Sequence, residues 1–149
     1  MRIVIAAAAL LGLTSPCYAS GGISCAIKDK NLTFLAEAGV SRGMGEGIFS
    51  FKANLDIHLP GVAEDLRKVD LSDHLTQKWY YGRDIKMRLY RERESEQHGY
   101  VELIIETRQK TEDDVDYKGS YVLTVFDVPP GAPGGKTITR RGRAECSGE

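Results

Sequence analysis

The sequence predicts an all-β chain: an antiparallel seven-strand sandwich with one or two short helical turns between residues 60 and 82. Three observations carry this. Apolar and polar residues alternate with a period of two through most of the chain, the alternating runs recur every 8 to 12 residues or about that, and the segments between them are rich in turn formers. A small closed barrel is the alternative arrangement of the same strands, and it would differ by holding a cavity between its walls.

Residues 1–19 have the character of a cleaved signal peptide. Arg2 supplies a positive start, Ile3 to Leu13 an apolar run, and Ala19 the small residue that a signal peptidase takes. The run is too short to span a ~30 Å hydrocarbon core as a helix, and Pro16 interrupts its end. Cys17 raises the alternative of a lipoprotein anchor, but Pro16 stands where lipoprotein processing wants a small residue. Residues 20–149 then form a single β-rich domain, long enough to bury a core. The expected location is exported, either periplasmic or secreted.

Within that domain Ile23, Cys25 and Ile27 alternate along a first strand, and Leu32, Phe34, Ala36, Ala38 and Val40 along a second, joined by the polar turn Lys28 to Asn31. The glycines between Arg42 and Gly47 permit a reversal into the longest run, Ile48 to Leu59. There Phe49, Phe51, Ala53, Leu55, Ile57 and Leu59 are expected on the inner face, and Ser50, Lys52, Asn54, Asp56 and His58 on the outer. Pro60-Gly61 stops the strand. Val62, Leu66 and Val69 then fall at helical spacing, and Ser72 is placed to cap a second short helix carrying Leu75 and Trp79; a strand through Thr76 to Tyr81 is the competing reading, because Trp79, Tyr80 and Tyr81 favour extended backbone.

The period of two returns with Ile85, Met87 and Leu89, again with Val101, Leu103 and Ile105, and again with Tyr121, Leu123 and Val125. In this last run Val122, Thr124 and Phe126 make the opposite face partly apolar too, as in a covered or central strand. Pro129 to Gly135 is a loop. The final strand runs from Thr137 to Cys146, with Ile138, Gly142, Ala144 and Cys146 on its less polar side.

Cys25 and Cys146 are the cysteines that remain after leader cleavage, both on inward positions of the terminal strands, and in an oxidising compartment they are expected to pair. A disulfide across so long a loop constrains the unfolded chain by roughly 4 to 5 kcal/mol in the chain-entropy account.

The charge balance of 20 basic against 21 acidic residues offers no general attraction for nucleic acid or an anionic membrane surface. No integral membrane segment is expected in the mature chain. Gly135-Lys136-Thr137 resembles the end of a phosphate-binding loop, but Pro130 stands where the earlier glycine is required and a strand, not a helix, follows. Glu112, Asp113, Asp114 and Asp116 crowd one turn, yet Lys118 occupies a position where a calcium loop needs oxygen. His58, His74 and His98 lie on separate segments at no ligand spacing, and no Gly-x-Ser-x-Gly nucleophile elbow occurs, so neither a metal, a cofactor nor an enzymatic activity is expected.

Two groups remain. Trp79, Tyr80 and Tyr81, with Arg83 beside them, are the candidate binding residues, since amphipathic rings serve as stacking platforms for sugars and as anchors in protein interfaces; burial in the core is the competing use of the sole tryptophan. Arg140, Arg141 and Arg143 on the last strand, and Arg88, Arg91 and Arg93 on an earlier one, either guard edge strands against aggregation or meet an acidic partner. The expected function is an exported, non-catalytic module that binds a protein or a glycan, the alternative being a small-molecule or lipid carrier with a barrel interior. Mass spectrometry of the protein recovered from its host should give a chain starting at Ser20, and not an acylated chain starting at Cys17.

Overall fold

A computed structural model of the chain describes residues 21–41, 47–94 and 97–148. The expected leader with Cys17, most of the glycine reversal (residues 42–46) and part of the turn at residues 95–96 lie outside the described residues. β1 (Gly21–Lys28) and β2 (Leu32–Val40) form the expected hairpin, followed by β3 (Ile48–Ile57). The segment after it holds one helical turn, α1 (Glu64–Arg67), and then two strands, β4 (Lys68–Asp70) and β5 (Leu75–Tyr81). β6 (Asp84–Glu92), β7 (Gly99–Gln109), β8 (Asp116–Asp127) and β9 (Lys136–Gly148) complete the chain.

These strands make one nine-stranded antiparallel sheet in the order β4-β3-β2-β1-β9-β8-β7-β6-β5. The all-β expectation holds, while the seven-strand sandwich does not. Two strands come from the segment assigned to helical turns, and the β1–β9 ladder joins into one sheet what a sandwich would keep as two. The sheet curls into a half-barrel, so its concave face buries an apolar core in which Phe34, Leu55, Leu103 and Tyr121 are fully or almost fully enclosed. At the open side β3 and β5 approach each other, and Lys78 on β5 reaches across to donate to the Ile48 carbonyl at 2.8 Å.

The second helix expected after Ser72 is replaced by β5. Ser72 does not cap a helix; its Oγ accepts the Ala53 N–H at 3.1 Å, next to the bond from the Leu71 N–H to the Ala53 carbonyl at 2.8 Å, so residues 71 and 72 prolong the pairing begun by β4. The β-favouring Trp79-Tyr80-Tyr81 run then pairs with β6 through a two-residue turn. Gly82 occupies the first turn position with φ of 57°, the positive value a type II′ hairpin requires there and glycine supplies without strain.

The parity of β3 holds from Phe51 onward and breaks before it. Ser50, at φ of 50°, forms a bulge where the pairing with β2 slips between Glu37 and Gly39. The extra residue reverses the facing of what precedes it, so Ile48 is buried and Phe49, expected inside, lies outside with its ring over Gly39.

Cys25 and Cys146 are direct partners in the β1–β9 register and are joined by a disulfide, with their Cα atoms 4.0 Å apart. This ladder is short, running only from Ile23–Gly148 to Ala26–Glu145. A second brace lies at the opposite end. The Arg93 guanidinium, 8% exposed, holds Asp65 of α1 with two contacts (2.5 and 3.0 Å) and Asp127 of β8 at 2.8 Å, which keeps the Asp65 carboxyl below the usual carboxylate range.

Urea unfolding of Cys146→Ser should show a loss of about 2 to 5 kcal/mol relative to the oxidised protein, and the unfolded, unreduced native protein should titrate without a reactive thiol from Cys25 or Cys146.

Candidate functional site

On a curled sheet whose concave side is packed, the convex side is where side chains meet solvent. β5 places its residues by alternation. Leu75 and Tyr80 turn toward the interior and Lys78 across the open side, while Gln77, Trp79 and Tyr81 turn outward beside their β6 partners Arg88, Lys86 and Asp84. Trp79 is 53% exposed and Tyr81 76%, and their rings meet edge to face at 6.0 Å. The burial reading of the tryptophan is therefore not what the structure shows.

Beside Trp79 the outer faces of β5, β6 and β7 form a shallow groove of about 500 Å³ lined by Gln77, Trp79, Lys86, Arg88, Ile104 and Glu106. Its charges are paired along the sheet, with Arg88 on Glu102 at 2.6 Å and Lys86 near Glu106 at 3.9 Å. The Arg88 guanidinium also lies 5.7 Å from the centre of the Tyr90 ring. From there an aromatic row continues over three strands: Tyr90 and Tyr100 at 5.3 Å, Tyr100 stacked on Phe126 at 5.5 Å, and the exposed His98 against Phe126 at 5.3 Å. Aromatic faces, a groove and fixed donors and acceptors thus lie on one continuous surface.

Of the four residues singled out from the sequence, Trp79 and Tyr81 belong to this face. Tyr80 does not: it points inward, packs on the core and has its ring 6.5 Å from that of Tyr117. Arg83 sits in the β5–β6 turn, where it donates to the Lys110 carbonyl at 2.9 Å and ties two hairpin turns together. Phe126 was not singled out, although it is the aromatic member of the outward set of β8 and alternation alone places it there.

The remaining sequence candidates have ordinary partners. Asp114 accepts the Thr111 N–H at 2.8 Å and so closes the acidic turn, His58 lies within 3.3 Å of both Thr33 Oγ1 and the Asp29 carbonyl, and His98 contacts Glu92 at 3.0 Å. Among the described residues no three acidic, histidine or cysteine side chains converge as metal ligands, and no helix is long and apolar enough to cross a membrane.

One internal polar cluster has the composition of a proton-transfer site. The Tyr121 hydroxyl, fully buried, donates to Asp29 Oδ2 at 2.6 Å and accepts from Asn31 Nδ2 at 3.0 Å, while Asp29 Oδ1 accepts the N–H groups of Asn31 and Leu32. Burial, reinforced by the Asp29 carboxylate, pushes the Tyr121 hydroxyl up to about 12. Burial pulls Asp29 the other way, but the bond from Tyr121 and the two N–H groups outweigh it and hold the carboxyl below its ordinary value. Each of these polar atoms is spent on a neighbour within the fold. The cluster is a clamp that seats the β1–β2 turn on β8 and β9, and Gly142 leaves the room, since a Cβ there would stand 2.5 Å from the Tyr121 ring and 2.7 Å from Asp29 Oδ2.

Tyr121→Phe should cost roughly 2 kcal/mol in urea unfolding, as loss of a hydrogen bond to a charged group does. A depressed carboxyl contributes stability that is complete above its unfolded value and lost as the pH falls through its folded value, so Asp29→Asn should flatten the decline in the thermal midpoint below about pH 4. Comparison with protein-family models, with curated proteins and with solved structures finds no match to this chain, so the functional reading rests on its own geometry.

Proposed function

We propose that the protein is an exported, non-catalytic binding module that takes a protein or glycan partner on the convex face of β5, β6 and β7. The observation that carries this is the exposed pair Trp79 and Tyr81 at the rim of a groove of about 500 Å³. Large rings left in solvent next to fixed charges are the usual anchors of such contacts, because they bury much area and lose little side-chain freedom on binding. The Cys25–Cys146 disulfide is compatible with the exported location.

The carrier reading has less behind it. Inward side chains of the strands, Tyr121, Phe34 and Leu103 among them, are packed against one another, so a lipid in the interior would have to displace them, whereas a partner on the convex face displaces only water.

As the sole tryptophan, Trp79 reports on this face directly. Its emission should be that of a solvated indole, quenched by iodide, and should shift to the blue when a partner selected from glycan and envelope-protein arrays is added. Trp79→Ala should weaken that binding by roughly 2 kcal/mol, about thirtyfold, with folding intact. Unchanged affinity in both Trp79→Ala and Tyr81→Ala would remove the face from consideration.

A further inference from the structure

The arginines of β6 and β9 differ in how they are satisfied. Arg88 is paired with Glu102, Arg91 donates to the Asp65 carbonyl, and Arg93 is locked between Asp65 and Asp127. Arg140, Arg141 and Arg143 of β9 are exposed and make no ion pair among the described residues; Arg140 donates only to the neighbouring Thr139 carbonyl. Three uncompensated guanidinium groups within four residues, on a chain whose net charge is −1, call for an anionic partner.

The backbone beneath them also lacks a strand partner on one side among the described residues. β9 pairs with β8 from Lys136 to Ser147, but with β1 only from Glu145 to Gly148. β1 ends at Lys28, and its turn is drawn onto the concave face at Gly142 by the Asp29–Tyr121 clamp. A Cα separation of 4.0 Å marks Cys25–Cys146 as a non-hydrogen-bonded pair, so the backbone groups of Cys146, and of every even residue of β9, point to β8. The odd residues point the other way. Ser147 and Glu145 spend theirs on β1, which leaves the N–H groups of Thr137, Thr139, Arg141 and Arg143, and the carbonyls of all but Thr139, which accepts from Arg140, directed at an edge with no strand partner among the described residues.

We infer that this edge of β9 accepts an extended acidic segment of another polypeptide as an added strand. The ladder groups supply the pairing, and the side chains supply the selection. Arg141 and Arg143 project from the same convex side, so the incoming strand carries acidic residues two apart on that side, in an Asp/Glu-x-Asp/Glu pattern. A second copy of β9 is the wrong occupant, because antiparallel self-pairing would set arginine against arginine. The site is distinct from the Trp79 face and does not depend on it.

The test uses a synthetic nine-residue peptide alternating glutamate with valine, measured by calorimetry and by amide hydrogen exchange on the disulfide-bonded protein. In the free protein the amides of Thr139, Arg141 and Arg143 should exchange fast while those of their even neighbours are protected; with the peptide bound, the odd amides should become protected. Arg141→Glu with Arg143→Glu should weaken binding roughly tenfold and favour the lysine–valine peptide instead. Thr139→Pro removes one edge N–H without touching the β8 ladder and should abolish binding with the thermal midpoint retained. If that variant does not fold, the same peptide N-methylated at alternate positions gives the answer on the native protein, and it should not bind. Equal binding of the N-methylated peptide, or full displacement by polyphosphate with the odd amides still fast, would make the edge a plain anion surface and overturn the inference. So would a dimer that already protects these amides.

Discussion

The architecture depends on the four-residue ladder between β1 and β9. On one side of it stand β4, β3, β2 and β1, and on the other β9, β8, β7, β6 and β5; among the described residues no other strand pairing connects the two groups. Antiparallel pairing over so few residues between distant parts of a chain is a weak join, since the entropy of closing the intervening loop is set against a handful of hydrogen bonds. The Cys25–Cys146 disulfide lies within this ladder, on the concave side, and makes the join covalent. It spans a sequence separation of 121 residues, so almost the whole described chain is contained in the loop it closes.

The shortness of that ladder has a cause in the sequence. β1 ends at Lys28, and the turn that follows is held beside Gly142 of β9 by the bond from Tyr121 to Asp29. The clamp and the disulfide therefore act as a pair: the disulfide joins the strands where they share a ladder, and the clamp seats the turn beyond it. A similar economy governs the opposite side, where the edges of β3 and β5 are bridged by the Lys78 ammonium and flanked by Tyr80, with no shared ladder among the described residues. A curled sheet joined in this manner fills its own interior, which moves any recognition to its convex face and its edges.

Much of this was legible in the order of residues, because a period of two is imposed directly by strand geometry. The inner sets of β1, β2, β6, β7 and β8 follow from alternation alone, and the inward parity of Cys25 and Cys146 follows with them. What escaped did so for physical reasons. The Ser50 bulge adds one residue to β3 and reverses the facing of Phe49 without leaving any trace in composition. Leu75 and Trp79 are four apart, which fits a helix face, but the Leu75–Gln77 bulge and the Gly82 turn put them in a strand on different faces. Apart from β4 and β5, the expected sandwich and the half-barrel share the same strands and differ in one ladder, and pairing between chain ends is invisible to local pattern. At the site, Trp79 and Tyr81 are two apart and so share a face, while Tyr80 between them had to point inward; once β5 is a strand, alternation alone divides the triplet.

The distribution of arginine shows why exposure by itself is a poor guide to function in such a fold. Arg93 is nearly buried and holds three elements together; Arg88 lies over the Tyr90 ring and is neutralised by Glu102, so it stabilises the convex face and shapes the groove beside Trp79. Removing either disturbs packing before it disturbs recognition. Arg141 and Arg143 make no ion pair among the described residues, and the strand that carries them runs on past the point where β1 ends at Lys28. A charge that the fold leaves uncompensated, on backbone that the fold leaves unpaired, costs stability through self-repulsion and an open edge. The interior contact that borders the open edge, Asp29 on Tyr121, is fully hydrogen-bonded, so the edge adjoins well-ordered core and not loose packing.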